Sequence, residues 1–571
     1  MIRTFQEHEK RQTKLLNGAW SFVVDPHDVG LKEQWYKQFP ESSRSMFVPS
    51  CWNNEIGLYD YEGVAWYRTT FTLPSSEHVR LIFHGILNHA NVYLDGEHLG
   101  YHYGGFSPFN FTIPSLSAGN HELIVRTDSK LDEATIPYHY VDWYHYGGII
   151  RPVELQTLPD VFIENFQVDY NQDTNLLTTA DVNITVQLRS LVDTTEQVPV
   201  KVGADTDDIY NQTVSIGARK TKHVNIKQRW ENLRLWNVGA PELYKIRVDI
   251  EKDDKIDRIG FRLIDTLNGK IRINHEEIYF QGINRHEEHP EWGFAFPAKL
   301  MTKDLDIVEE MGCNAVRGSH YPQSKYWIDL LDERGIAYWS EIPIWGAHLP
   351  VEPLANPVVI ERASHMIDEM IDRDIHHPSI LFWSVHNEIK THSKEAYDLS
   401  VTLINRVKNK DQSRLITYAT MDPLNDITLP LFDVIGINKY HGWYEGKVDG
   451  FKHMLENFHA YADKMGAGDK PVMMTEFGGA GIYGDTGWEN RLFSEDYQAE
   501  IVGDALHIFN NDPKIVGTFV WQFADIRADL QSHQPHFRDR ARGFNNKGLV
   551  NEYRKPKQAF RVVREIYKNS K

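Results

Sequence analysis

The chain has 571 residues, more than a single hydrophobic core supports, so two to four domains are expected. Its formal net charge of −19 argues against nucleic acid or an anionic membrane as a partner, since both require a basic surface. Its only two cysteines, Cys51 and Cys313, lie far apart and form neither a disulfide framework nor a zinc ligand set. The stretch from Met1 to His8 has no apolar signal core and no run approaches a membrane span, so a cytoplasmic setting is expected. The 15 Trp, 27 Tyr and 27 Phe suit both large cores and the stacking faces that sugars use.

The first third carries strand and turn chemistry. Ala90–Leu94 alternates and runs into Asp95-Gly96, a hairpin signal, and His121–Arg126 is another short strand. Helical periodicity is scarce before about residue 300. Residues 1–160 therefore read as an all-β domain of sandwich or jelly-roll type. In residues 161–263, Val182, Ile184, Val186 and Leu188 alternate with polar residues, and so do Ile246, Val248 and Ile250. About seven short strands in a hundred residues fit an immunoglobulin-like β-sandwich.

From about residue 264 apolar runs alternate with helical patterns. The runs are Ile278–Ile283, Ala315–Gly318, Ile336–Ser340, Ile380–Val385, Leu415–Ala419, Val434–Ile437, Val472–Thr475 and Ile515–Trp521. Amphipathic segments such as Leu300–Met311, Pro357–Ile375, Ala396–Lys408 and Phe451–Lys464 lie between most of them. Eight such units over residues 264–571 predict a (β/α)8 TIM barrel. An open doubly wound sheet is the alternative, but no Gly-rich nucleotide fingerprint follows any strand.

Two of the runs end in a glutamate. Ile380–Val385 leads through His386 and Asn387 to Glu388, and Val472–Thr475 leads to Glu476. Barrel strands empty into the active site at their C-terminal ends, so the fourth and seventh strands each deliver a carboxylate there. Cleaving a glycosidic bond needs one carboxylic acid to protonate the leaving oxygen and one carboxylate to attack or to activate water. Asn387 offers an amide to a sugar hydroxyl, Tyr440 at the sixth strand's end is within reach of Glu476, and Trp521 offers a stacking face. His286-Glu287-Glu288-His289 lacks the H-E-x-x-H spacing of a metalloprotease helix, and Ser319-His320 has no G-x-S-x-G elbow, so neither metal nor triad chemistry is expected. No cofactor is implied.

These motifs resemble glycoside hydrolase family 2. Gly63–Arg68, Gly85–Gly96 and Gly104–Phe109 are similar to its sugar-binding jelly roll. Leu235-Trp236 and Pro241–Tyr244 are similar to the end of its central sandwich, and Gly282–Glu287 to the exit of its first barrel strand. The resemblance implies a retaining, exo-acting β-glucuronidase with Glu476 as nucleophile and Glu388 as acid/base. It further implies that Asn438, Tyr440 and Tyr444 contact the sugar or the nucleophile and that Asp142 and His320 bind sugar hydroxyls. Asn545 and Lys547 match the motif that reads a uronate carboxylate, with an assisting arginine. The segment after Trp521 is long, so Arg540 or Arg542 fills that role, with Arg542 favoured. Ile344–Asn356 is short and lacks the long active-site loop of some gut members. The expected partners are small β-glucuronides or oligosaccharide ends, and the expected assembly is a dimer or tetramer. A β-galacturonidase, a β-galactosidase and a non-catalytic carbohydrate-binding protein are the competing readings.

Overall fold

The computed structural model describes residues 2–139, 141–346, 350–529 and 540–569. The chain forms two compact units. One comprises Met1–Lys130, Tyr146–Arg262 and Arg373–Pro378, and the other comprises Leu131–His145, Leu263–Asp372 and Ser379–Lys571.

The first unit holds two β domains. In the N-terminal one, a six-stranded and a four-stranded antiparallel sheet enclose a core that includes Trp20, Phe22, Trp52, Tyr67, Leu81 and Val125, the layering expected of a jelly roll. The predicted hairpin pairs His89–Leu94 with Glu97–Tyr103. At its tip Asp95 and Gly96 both adopt positive φ, 51° and 83°, as a two-residue turn between right-twisted strands requires. The second domain is a sandwich of a three-stranded and a four-stranded sheet. Its strand Ala180–Ser190 buries every second residue, which places Val182, Ile184, Val186 and Leu188 on one inner face.

The second unit is a closed parallel barrel of eight strands: β1 (Phe280–Asn284), β2 (Ala315–Arg317), β3 (Ala337–Glu341), β4 (Ile380–Asn387), β5 (Leu415–Thr420), β6 (Ile435–Asn438), β7 (Val472–Glu476) and β8 (Ile515–Val520). Each matches a predicted run to within a few residues. The run from Ile278 to Ile283 merges two elements, because Ile278 closes a small antiparallel sheet formed by residues 264–278 before the barrel begins. Seven helices are described around the barrel: α1 (Ala298–Glu310), α2 (Lys325–Arg334), α3 (Pro357–Asp374), α4 (Lys394–Lys410), α5 (Gly450–Lys464), α6 (Glu495–Asn510) and α7 (Gln558–Asn569). Ser393 and Ser494 start α4 and α6 by accepting from the backbone N–H of Ala396 and Tyr497. The link from β5 to β6 departs from the expected strand–helix repeat. Pro423 and Pro430 interrupt a short connection, and one 3-10 turn at Leu429–Leu431 replaces a helix.

The strands end alike at the C-terminal rim. Asn284, Arg317, Glu341, Asn387, Asn438 and Glu476 are the last residues of β1, β2, β3, β4, β6 and β7, and all are buried. Buried polar groups need partners, so this ring has to be a network. Leu131–His145 packs with this unit and brings Asp142 and Trp143 to the same rim.

Candidate active site

A pocket of about 260 Å³ opens at the rim, with both Glu388 and Glu476 in its wall. β4 stops at Asn387, and Glu388 follows with φ of 52° while its N–H donates to the Ala419 carbonyl at 2.8 Å. That left-handed step turns the side chain out of the strand alternation and into the pocket, a conformation costly for a residue with a Cβ and held here by the β5 backbone. β7 delivers Glu476 directly. The Phe477-Gly478 step after it lies against β8. Trp521 N–H donates to Phe477 O at 2.9 Å, and a Cβ on Gly478 would stand 2.7 Å from Trp521 O, so glycine is required there.

The two glutamates sit in opposite surroundings. Glu476 accepts from Arg317 Nη1 at 2.8 Å and from the Tyr440 hydroxyl at 2.7 Å. Glu388 accepts from Asn438 Nδ2 at 2.8 Å. Burial, and then the nearby Glu476 charge, push the Glu388 carboxyl up to about 8, against the pull of Asn438 and Arg317. Arg317 is the hub. It also donates to Asn284 at 3.1 Å, to Asn387 Oδ1 at 2.7 Å and through Nη2 to both oxygens of Glu341 at 3.0 Å. Burial opposes a charge on Arg317, but the carboxylates of Glu341 and Glu476 overcome it. For Glu341, burial is outweighed by Arg317, His320 and Ser384, which hold the carboxyl down at about 2. His320 Nδ1 lies 2.8 Å from Glu341, its Nε2 stands 3.8 Å from Glu476, and its ring stacks on Trp521 at 5.2 Å.

A second group of charges lines the same pocket. Lys547 Nζ donates to the Tyr444 hydroxyl at 2.7 Å and lies 4.6 Å from the centre of that ring. Arg540 Nη1 donates to the same hydroxyl at 3.1 Å, while its Nε and Nη2 grip Asp142. The Asp142 carboxylate overcomes the burial that opposes charge on Arg540 and keeps it protonated. Lys547 has no such carboxylate. Burial first, and then the Arg540 charge, drive its ammonium well below the ordinary lysine value, with Asp142 and Glu476 offsetting part of this.

Three family descriptions match the chain: "Glycosyl hydrolases family 2, sugar binding domain" over residues 13–159, "Glycosyl hydrolases family 2" over 161–262 and "Glycosyl hydrolases family 2, TIM barrel domain" over 264–571. The chain belongs to glycosyl hydrolase family 2. It is similar to the β-glucuronidase of Streptococcus agalactiae, 28% identical over 98% of this chain and 96% of that one. Among solved structures it resembles a family 2 β-galacturonidase from Eisenbergiella tayi bound to galacturonate, with TM-score 0.91, 28% identity and coverage of 100% and 99% of the two chains. It also resembles the β-glucuronidase of Ruminococcus gnavus in complex with D-glucuronic acid, with TM-score 0.86, 26% identity and 99% of both chains covered. This family 2 chain is a glycoside hydrolase.

Of the site residues expected from sequence, Asp142, His320, Glu388, Asn438, Tyr440, Tyr444, Glu476, Trp521 and Lys547 all line the pocket. Three sit otherwise than expected. Arg542 is not in the pocket wall: it has a positive φ of 61°, its side chain is 47% exposed, and it pairs with Glu552 at 3.2 Å. Arg540, two residues earlier, lies in the wall instead. Asn545 is buried behind the wall and donates to Asp142 at 3.1 Å rather than into the cavity. Asn387 is also buried. Its Oδ1 is taken by Arg317 and Asn438, and its Nδ2 has no acceptor among the described residues, so a donor remains for a hydroxyl. Residues 347–349 of the short stretch Ile344–Asn356, and residues 530–539 of the long segment after Trp521, lie outside the described residues.

Sequence reasoning missed Arg317, Glu341 and Trp143. Arg317 and Glu341 carried the signal used for the two glutamates, an apolar run ended by a charge, as in Ala315-Val316-Arg317 and Tyr338-Trp339-Ser340-Glu341. It also missed the buried pair behind Lys547. Lys557 Nζ donates to Asp525 at 2.7 Å and to Asn546 O at 3.0 Å, while Gly548 N donates to Asp525 at 2.9 Å. A Cβ on Gly548 would come within 2.2 Å of Asp525 N, so the turn that carries Lys547 closes only with glycine. The sequence pair His286-Glu287 serves the scaffold: Glu287 accepts from Ser324 N at 2.9 Å at the start of α2, and the Tyr321 hydroxyl lies 3.3 Å from His286.

Proposed function

We propose that this glycoside hydrolase is a retaining, exo-acting β-glucuronidase that releases glucuronate from β-D-glucuronides. One observation carries the uronate part. Two buried basic side chains, Arg540 and Lys547, meet at one phenol oxygen, and of the two only Arg540 is paired with Asp142. A buried ammonium without a counter-ion is costly, and a substrate carboxylate supplies the missing charge. A neutral glycoside leaves that cost in place.

In the mechanism that follows, Glu476 attacks the anomeric carbon. Arg317 and Tyr440 hold its carboxylate in place by two hydrogen bonds. Glu388, neutral below about 8, gives its proton to the leaving oxygen. Once Glu476 has become an ester, its charge no longer raises the Glu388 carboxyl. Glu388 then falls toward the ordinary carboxylate range and is ready to take a proton from the incoming water. One residue thus serves as acid in the first step and base in the second, because the state of its neighbour retunes it. No step needs a metal or cofactor.

A β-galacturonidase is the second reading, favoured by the close match to the Eisenbergiella tayi enzyme bound to galacturonate. Lys547 answers either uronate alike. A panel of nitrophenyl β-glycosides carrying glucuronate, galacturonate, glucose and galactose decides. Highest kcat/KM on the glucuronide supports the proposal, highest on the galacturonide transfers it to the second reading, and highest on a neutral sugar removes the uronate assignment.

A further inference from the structure

We propose that Glu341 is a positioning residue that fixes the proton of His320 on Nδ1 and so leaves Nε2 as the ring nitrogen that meets the sugar. The inference takes from the proposed function only that a glycoside occupies this pocket. Glu341 ends β3, is fully buried and does not line the pocket, while His320 does. Glu341 therefore reaches a substrate only through a neighbour.

Donors meet both oxygens of its carboxylate. Oε2 accepts from the Trp339 indole at 3.0 Å, from the Ser384 hydroxyl at 2.7 Å and from Arg317 Nη2 at 3.0 Å. Oε1 accepts from Arg317 Nη2 at 3.0 Å and faces His320 Nδ1 at 2.8 Å. Burial opposes the charge of Glu341, but Arg317, His320 and Ser384 outweigh it and hold the carboxyl at about 2, so neither oxygen carries a proton near neutral pH. An ionised carboxylate only accepts, and the 2.8 Å contact is a hydrogen bond only when the proton is on Nδ1. Arg317 Nη2 also approaches Nδ1, at 3.4 Å, but the shorter contact to the carboxylate decides.

The bond made by one ring nitrogen sets the state of the other, so Nε2 is an acceptor in the neutral ring. It stands 3.8 Å from Glu476 Oε1, beyond a hydrogen bond, and both residues line the pocket. A sugar hydroxyl bound beside the nucleophile completes it. Two indoles hold the plane of the imidazole: Trp521 stacks on it at 5.2 Å and Trp143 packs against it at 5.3 Å. The bond to Glu341 holds its rotation within that plane. Charge balance for Arg317 would not require Oε1 to take this second bond.

Glu341→Gln keeps the shape of the side chain and tests the assignment. Three donors converge on Oε2, so the amide oxygen belongs there and the amide NH2 takes the place of Oε1. Nδ1 then faces a donor, and the ring proton moves to Nε2. Nitrogen NMR of protein carrying isotope-labelled histidine, recorded on the neutral ring, reads the tautomer, with His320 assigned by its loss in His320→Gln. The expected wild-type signature is a proton-bearing Nδ1 and a bare Nε2, reversed in Glu341→Gln. A bare Nδ1 in the wild type would overturn the proposal, and this reading needs no variant of Glu341 to fold. On whichever nitrophenyl glycoside is turned over best, Glu341→Gln should lower kcat/KM by about ten- to a hundredfold, and the loss should largely vanish in the His320→Gln background, because both changes remove one contact. The deoxy analogue least sensitive to His320→Gln should also be the one least sensitive to Glu341→Gln. Additive losses of the two variants, or full kcat/KM with a reversed tautomer, would assign Glu341 to charge balance for Arg317 alone. Absence of turnover on every glycoside would tell against the proposed function, and the wild-type spectrum would still decide the role of Glu341.

Discussion

Arg317 donates to the Oε1 of Glu476 over 2.8 Å while its other arm holds Glu341. One buried guanidinium thus serves two carboxylates from two other strands. Its bond to Glu476 holds that side chain in place, and its bond to Glu341 keeps a fully buried anion neutralised. Arg317→Lys retains the charge but not the fork that spans both partners. The expected outcome is a loss of kcat of about ten- to a hundredfold, the worth of a charge-assisted hydrogen bond. Full kcat in the variant would show that Arg317 only supports the scaffold.

Glu388 carries a pH prediction of its own. With its carboxyl at about 8, activity should fall on the alkaline side through that region. Glu388→Ala should keep its first step on activated aryl leaving groups, lose the second, and be rescued by azide with formation of the β-glycosyl azide. An α-azide, or a mechanism-based fluorosugar trapped on Glu388 instead of Glu476, reverses the assignment of the two roles.

The same shift bears on stability. A carboxyl raised in the folded state contributes stability that is fully present below its ordinary unfolded value and is lost as pH rises through about 8. Glu388→Gln resembles the protonated form at every pH. Its melting temperature should therefore exceed that of wild type by more at pH 9 than at pH 5. Parallel melting curves at the two pH values would argue that Glu388 is not held neutral by its site.

The barrel was legible because each strand is an apolar run of the length a buried strand needs, and the two glutamates because they end such runs abruptly. Glu388 was placed at the strand exit, yet its positive φ depends on a bond to Ala419, a β5 residue remote in sequence. The choice between Arg540 and Arg542 could not be read from spacing. It turns on the positive φ at Arg542 and on Asp142, about four hundred positions away. The place of Asn545 is equally hidden, since an amide behind a wall and an amide in it have the same sequence. Arg317 and Glu341 end apolar runs as the two glutamates do, but a charge at a strand end does not by itself distinguish a positioning group from an acid or a nucleophile.

Asp525 and Lys557 form the support for the turn that carries Lys547. Burial, only partly countered by Lys557, pushes the Asp525 carboxyl up to about 6. Lys557→Met removes the ammonium that ties Asp525, Asn546 O and Gly481 O together. The turn should loosen and misplace Lys547. Activity on a uronide should drop by about tenfold, with a smaller effect on the matching neutral glycoside, since one positioning cation is lost. A uniform loss on both substrates, together with a lowered melting temperature, would assign the pair to stability alone.

Lys547 bears the heaviest part of the specificity argument. The protein has a formal net charge of −19, and its proposed substrate is an anion. Long-range attraction cannot draw the two together, because charges are screened beyond about 8 Å at physiological salt. A local cation has to do it, and the Lys547 side chain is buried with the Tyr444 hydroxyl as the one hydrogen-bond acceptor of its Nζ among the described residues. Burial disfavours the charged form of Lys547, and an arriving carboxylate restores it, so the amine should take up a proton as a uronate binds. Calorimetry in buffers of different ionisation enthalpy reads this directly, and Lys547→Ala should abolish it. A charge-assisted hydrogen bond to a carboxylate is worth about 1.5–3 kcal/mol, so the same variant should reduce kcat/KM on the uronide by at least about ten- to a hundredfold. The matching neutral glycoside has no carboxylate to pair, and removing an uncompensated buried cation should leave its rate unchanged or raise it. Equal proportional losses on the two substrates would mean that Lys547 holds the fold together, and the uronate reading would lose its physical basis.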